Sequence, residues 1–116
     1  MQHISKDDVR TLREVLQTER TNLEKELSEH GRKVDGNWQG VAKGFEGNEP
    51  DETDAGDKME ELATNIPLVE TLEARLKDVL DALKKMDEGT FGLSEDTGKP
   101  IDIARLRANP AARTAI

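Results

Sequence analysis

The carboxylates come first among the residues able to do chemistry. Between Glu46 and Glu61 lie eight acids (Glu46, Glu49, Asp51, Glu52, Asp54, Asp57, Glu60 and Glu61) and one base, Lys58. That stretch carries −7 of a net charge of −8. Such a focus is either a solvated helix start or an acidic probe for a basic or metal-bearing partner. Asp51 and Asp54 stand three residues apart. As helix caps they would complement the positive helix end, and Asp54 with Asp57 resembles a capping box. The D-x-D-x-D-G spacing of a calcium loop is absent. A magnesium ion would need a partner to supply the rest of its shell. A second group is basic: Lys99, Arg105, Arg107 and Arg113 against Asp102 make the last eighteen residues +3. These arginines either hold an acidic partner surface or balance the acids around them. Ser94 and Thr97 offer hydroxyls, which are poor metal ligands but able to bond backbone N–H groups.

Much chemistry is excluded. The chain has no cysteine, so disulfide scaffolds, thiolate zinc sites and Cys nucleophiles drop out. His3 and His30 are its only imidazoles, and His30 fits a dipole-complementing place at a helix end. There is no nucleophile–base pair, no phosphate-cradling glycine loop and no H-E-x-x-H, so catalysis lacks support. An acidic balance argues against a simple nucleic-acid binder. No apolar run reaches the length of a membrane span, and no signal peptide is expected. A soluble cytoplasmic protein is the expectation.

The elements that must position these groups follow from composition. In 116 residues, 34% are hydrophobic, 36% charged and three aromatic (Trp38, Phe45 and Phe91). Such a chain suits long helices sharing a narrow apolar seam better than a rounded core. Ser5-Lys6-Asp7-Asp8 fits a helix start, with Ser5 accepting an N–H from the first turn. Val9, Leu12, Leu16, Leu23 and Leu27 then continue a helical period, with Glu19 in the skipped seam position. One amphipathic helix is expected to about His30, ended by Gly31 in the C-terminal cap role.

Residues 31 to 56 hold six of the nine glycines and read as a long loop, with a helical turn expected near Trp38–Lys43. Trp38 reads as an anchor pinning this loop, or else as an exposed contact. From about Asp54 the period returns through Met59, Leu62, Ile66, Val69, Leu72, Leu76, Val79, Leu80, Leu83 and Met86. Pro67 predicts a kink or break near Thr64–Ile66, and Gly89 ends the helix. Two such stripes should fold back as an antiparallel hairpin with the acidic loop at its tip. Thr90 to Ile116 is turn-rich, with a short helix ended by Asn109-Pro110. It is too small for its own core and should pack on the hairpin base through Phe91, Ile101, Ile103, Leu106 and Ile116.

At this tail the sequence resembles the DksA/TraR family. The carrying residues are Glu88-Gly89-Thr90-Phe91-Gly92-Leu93-Ser94-Glu95-Asp96-Thr97-Gly98-Lys99-Pro100-Ile101 and Arg105-Leu106-Arg107-Ala108-Asn109-Pro110-Ala111-Ala112. They follow the family's finger, G-x-[FY]-G-x-C-x-x-C-G-x-x-I and R-L-x-A-x-P. Asp51-Glu52-Thr53-Asp54-Ala55-Gly56 follows its tip pattern D-x-x-D-x-A, with Gly56 in place of the alanine. The resemblance covers roughly residues 50–116 well and the first helix by pattern alone. It implies a regulator that binds bacterial RNA polymerase. In that family the hairpin enters the secondary channel, the pore through which nucleotides reach the active site, and the resemblance implies the same here. Asp51, Asp54 and Gly56 would act at the tip, and Arg105, Arg107 and Arg113 would touch the polymerase rim.

The sequence departs from the family at the metal. Ser94 and Thr97 stand where the first two thiolates would lie and Ala115 where the third would, so zinc is expected to be absent. The expected architecture is all-α: a long antiparallel helical hairpin (coiled coil) over 1–88 with an acidic tip loop at about 31–56. A degenerate, metal-free zinc-finger-like segment with a short terminal helix follows over 89–116. The expected function is transcription regulation through direct polymerase binding, without sequence-specific DNA binding. A nucleotide alarmone acting with the polymerase is a further partner the family suggests. The alternative is a coiled-coil adaptor or stress-related interaction module that has lost the polymerase role along with the metal.

Overall fold

The computed structural model describes residues 3–41 and 52–115. In chain order these form α1 (Lys6–His30), β1 (Gly31–Val34), β2 (Asn37–Gly40), α2 (Glu52–Glu88) and α3 (Ile103–Ala108). Ser5 caps α1 as its type suggests, its Oγ accepting the Asp8 N–H at 3.0 Å. At the C-terminus of α2, Gly89 adopts φ +81. The Thr90 N–H then reaches back to the Lys85 carbonyl at 2.9 Å, which closes α2 in a Schellman motif.

The chain divides into two compact units, and both long helices contribute to each. α1 runs out of the first unit into the second, and α2 returns. This is the up-and-back topology of an antiparallel helical hairpin. Among the described residues, the first unit, residues 1–22 and 76–116, has the richer core. Leu12 and Leu16 of α1 and Leu76, Val79, Leu83 and Met86 of α2 are buried there. So are Phe91, Ile101 and Leu106 from the C-terminal segment, while Ile103 is half-buried. Ile116 lies outside the described residues. The second unit, residues 23–75, buries Leu23, Leu27, Val69 and Leu72.

Four sequence expectations need correction. Residues 31–40 are a β-hairpin rather than a loop with a helical turn near Trp38. Asp35 (φ 52) and Gly36 (φ 84) make a two-residue type I′ turn, which fits the twist of the flanking strands. Gly31 is the first residue of β1 rather than a left-handed helix cap. It is glycine because a Cβ there would lie 2.6 Å from the Gln39 carbonyl oxygen and 3.0 Å from Val69 Cγ2. No break occurs near Thr64–Ile66: α2 stays helical through Pro67. Pro67 and Ala63 are both exposed, so the carbonyl that loses its N–H partner faces water. Finally, Met59, Ile66 and Leu80 are solvent-facing rather than part of the seam. Asn65, 5% exposed, takes the seam place beside Ile66 and donates its amide to the Val41 carbonyl at 2.6 Å.

Candidate partner-binding site

The tip residues are placed as follows. Asp51 lies outside the described residues. Asp54 falls in the first turns of α2, its side chain outside the description. Gly56 is an exposed residue of α2, with nothing within 4 Å of where a Cβ would stand.

Further along α2 in the second unit sits the β-hairpin, a feature without a counterpart in the sequence expectation. It is fastened to α2 by close backbone approach and by hydrogen bonds. A Cβ on Gly40 would lie 2.6 Å from the Cα and N of Ile66, so only glycine lets β2 lie against the helix. The Trp38 N–H donates to Glu73 Oε2 at 3.1 Å. The indole is half-buried, between the anchor and the exposed contact that its sequence position allowed. Val34-Asp35-Gly36-Asn37 was the available sequence signal, since Asp-Gly between strand formers is a strong hairpin marker.

The basic residues belong to the first unit, where each has an intramolecular acceptor. Arg105 Nε donates to the Thr114 carbonyl at 2.7 Å. Arg107 meets Asp8 at 3.4 Å on an exposed face. Arg113 is the hub of a clasp. Its Nε and Nη2 reach Asp78 at 2.7 Å, Nη2 reaches Asp81 at 2.7 Å, and Nη1 reaches Glu95 at 2.8 Å. Lys85 Nζ closes the cluster on Glu95 at 2.5 Å. The C-terminal segment is thereby tied to α2 by charge as well as by apolar burial. Hydrogen bonds to Asp81 and then Asp78 push the Arg113 guanidinium further above its ordinary pKa. The hydrogen bond from Lys85, then that from Arg113, hold the Glu95 carboxyl below its ordinary value.

The turn carrying Ser94 and Thr97 is a closed hydrogen-bonded loop. The Ser94 N–H donates to the Lys99 carbonyl at 2.8 Å, and the Gly98 N–H to the Ser94 carbonyl at 2.8 Å. Ser94 is buried and its hydroxyl donates to the Asp96 carboxylate. The Thr97 hydroxyl accepts the Lys99 N–H at 3.3 Å. His3 covers the segment from the N-terminus, its Nε2 donating to the Ile101 carbonyl at 3.1 Å. Ala115 is exposed.

This arrangement has a solved counterpart. The fold matches transcription factor DksA2 from Pseudomonas aeruginosa with a TM-score of 0.71, covering 95% of this chain and 78% of that one at 21% identity. The chain has a DksA/TraR-like fold.

Curated relatives agree in part. Over 35 residues the sequence is 43% identical to the RNA polymerase-binding transcription factor DksA of Caulobacter vibrioides, 30% of this chain and 25% of that protein. Over 95 residues it is 30% identical to general stress protein 16O of Bacillus subtilis, 82% of this chain and 58% of the relative. Over 48 residues it is 50% identical to the uncharacterized protein YlyA of Bacillus subtilis, 41% of this chain and 39% of that one. The chain thus spans less than two thirds of the length of each of these relatives. No protein-family model matches the sequence.

The DksA/TraR-like finger would call for zinc, and the residues at its positions do not fit that ion. Zinc takes thiolate, imidazole or carboxylate. Here two positions present neutral hydroxyls already engaged within the turn, and the third is a methyl group. Among the described residues, no group of three or more His, Asp and Glu side chains is arranged to hold a metal ion. No described helix is long and apolar enough to cross a membrane.

Proposed function

We propose that this chain is a transcription regulator that binds RNA polymerase directly and inserts the tip of its helical hairpin into the secondary channel. The observation that carries the reading is the likeness to DksA2 over 95% of the chain. The 35-residue match to a DksA named as RNA polymerase-binding supports it. In this reading Asp51 and Asp54 act at the tip by perturbing active-site elements of the polymerase, and Gly56, standing in place of the family's alanine, softens the tip contact. Arg105, Arg107 and Arg113 lie in the docking region outside the channel, and the two most engaged, Arg105 and Arg113, also hold their own segment together. The regulator works in the cytoplasm, without catalysis, without zinc and without sequence-specific DNA contact, in keeping with a net charge of −8. A nucleotide alarmone would act on the polymerase complex rather than on this chain alone.

The test uses the absence of native cysteine. Thr21 is an exposed position on α1, and Thr21→Cys carries a fluorescent label. The labelled chain is titrated with bacterial core RNA polymerase and followed by anisotropy, alongside Asp51→Asn/Asp54→Asn and a transcription assay. Binding by both forms, with an effect on transcription from the wild type alone, is the expected result. No binding at micromolar polymerase would refute the reading.

A second reading rests on the 30% identity to general stress protein 16O over 82% of the chain. It is a stress-related coiled-coil adaptor that has lost the polymerase role. Neutralising Asp51 and Asp54 would then leave partner binding unchanged, while substitutions in the seam or on the finger surface would abolish it.

A further inference from the structure

Past α3 the chain is held in a different way. Pro110 and Ala111 are buried, but Ala112, Arg113 and Thr114 are half-buried and Ala115 is exposed. None of these last four brings a large apolar side chain. Residues 112–115 are held instead by polar contacts to α2, to α3 and to the turn at Ser94. The Glu95 N–H donates to the Arg113 carbonyl at 2.8 Å, and Arg105 Nε donates to the Thr114 carbonyl at 2.7 Å. The Arg113 guanidinium takes Asp78 and Asp81 at 2.7 Å and Glu95 at 2.8 Å. Water reaches all four side chains: Arg113 is 29% exposed and the acids 39%, 40% and 41%. Ion pairs in that setting are screened by salt.

Two further features make release local. Lys85 Nζ and Arg113 Nη1 share a single oxygen, Glu95 Oε1. The two cations repel each other, and when one leaves, the other keeps the carboxylate paired. Lys85 is fixed on α2, whereas Arg113 lies in a segment without regular structure. What stays behind closes on itself. The Ser94 N–H donates to the Lys99 carbonyl at 2.8 Å and the Ile101 N–H to the Gly92 carbonyl at 2.7 Å, and the apolar anchors Phe91, Ile101 and Leu106 all precede residue 112.

We infer that residues 112–115 form a strap that opens and closes as a unit on the first compact unit, with Arg113 as its latch and ionic strength as its control. The guanidinium stays charged across the neutral range, so salt rather than proton uptake shifts the balance. Opening uncovers Asp78 and Asp81, an acid pair on neighbouring turns of α2, and frees the Glu95 N–H. The inference needs no partner and stands apart from the polymerase reading.

The Glu95 amide reads the strap directly, because its acceptor lies within it. The Ile101 amide, bonded to Gly92, reads the segment that stays behind. Residue-resolved hydrogen exchange of the full chain compares the two in about 0.1 and about 1 M potassium chloride, where the Debye length falls from about 10 to about 3 Å. Their ratio removes the effect of salt on the exchange chemistry itself. The Glu95 amide is expected to gain at least about fivefold on Ile101 at high salt. Asp78→Asn/Asp81→Asn should show that ratio already at low salt and respond little to more. The control, Asp87→Asn/Glu88→Gln, removes the same charge from α2 but loses the exposed pairs with Arg13 and Lys84, and should behave as wild type. Thermal melts confirm that each variant folds. A ratio unmoved by salt overturns the inference. Joint acceleration of both amides overturns it too, because the strap would then open only with the rest of its segment. An equal effect in the control pair also overturns it, since net charge and not the latch would be at work.

Discussion

The two compact units solve the same problem with different means. The first has side chains to spare: a core that reaches from Leu12 to Leu106 and includes the large Phe91 ring. Its C-terminal segment lacks the metal ligands of the family pattern, and Arg113 ties it to Asp78, Asp81 and Glu95. Among the described residues, the second buries few large apolar groups. It gains its packing from glycines that let backbone meet backbone at Gly31 and Gly40, and from the Asn65 and Glu73 hydrogen bonds. The difference teaches that a charge-rich chain can replace core volume in two ways. It can clamp a segment with a many-handed cation, or it can remove Cβ atoms where elements cross.

The comparison is broken most severely at Phe91. Phe91→Ala should cost about 3–5 kcal/mol, because a large cavity opens where a fully buried aromatic ring stood. Urea unfolding checks this, and the loss should appear in the C-terminal segment by hydrogen exchange. Next comes Gly40→Ala in the other unit. Its Cβ would fall 2.6 Å from the Ile66 backbone, which cannot step aside as a flexible side chain could. A cost of about 1–3 kcal/mol is expected, with β-hairpin amides losing protection first. Gly36→Ala is the sharpening control, since nothing lies within 4 Å there and only the positive φ is strained, at about 1 kcal/mol.

Arg113→Gln should cost about 1 kcal/mol, as the clasp is partly open to water and its charges are screened. Its more telling signature is in pH. The Glu95 pKa is lower folded than unfolded, so this carboxylate contributes stability at neutral pH. That contribution is lost as pH falls through the depressed folded value, below the ordinary carboxylate range. Arg113→Gln should flatten this acid limb of the melting profile, and an unchanged limb would show that the clasp does not hold the segment. The smallest expected effect is none: a chelator, or added zinc, should leave the melting temperature unmoved, because Ser94 and Thr97 already close their turn with hydrogen bonds.

Sequence alone determined the two long helices, because a period of three and four continued over Leu12–Leu27 and Val69–Met86 has one structural meaning. It also determined the start of α1 at Ser5 and the end of α2 at Gly89, since caps are local chemistry. The tail was legible through Phe91, Ile101 and Leu106, whose burial follows from a segment too small to bury them alone. The acidic focus is a matter of composition alone, and much of it, Asp51 included, lies outside the described residues.

Tertiary structure decided the rest. The β-hairpin was written in Asp35-Gly36, but four-residue strands need a surface to lie on, and α2 supplies it only in three dimensions. Which of two adjacent rows on α2 faces inward was also undecided by period, since Asn65 and Ile66 differ by one residue. The polar one turned in because the Val41 carbonyl was there to receive it. The role of Arg113 was likewise hidden, because its acceptors Asp78 and Asp81 stand more than thirty positions away along the chain. Local signals fix what a helix or a cap is; only the fold brings distant partners within reach, and that proximity decides which groups are held inward and which are left for a partner.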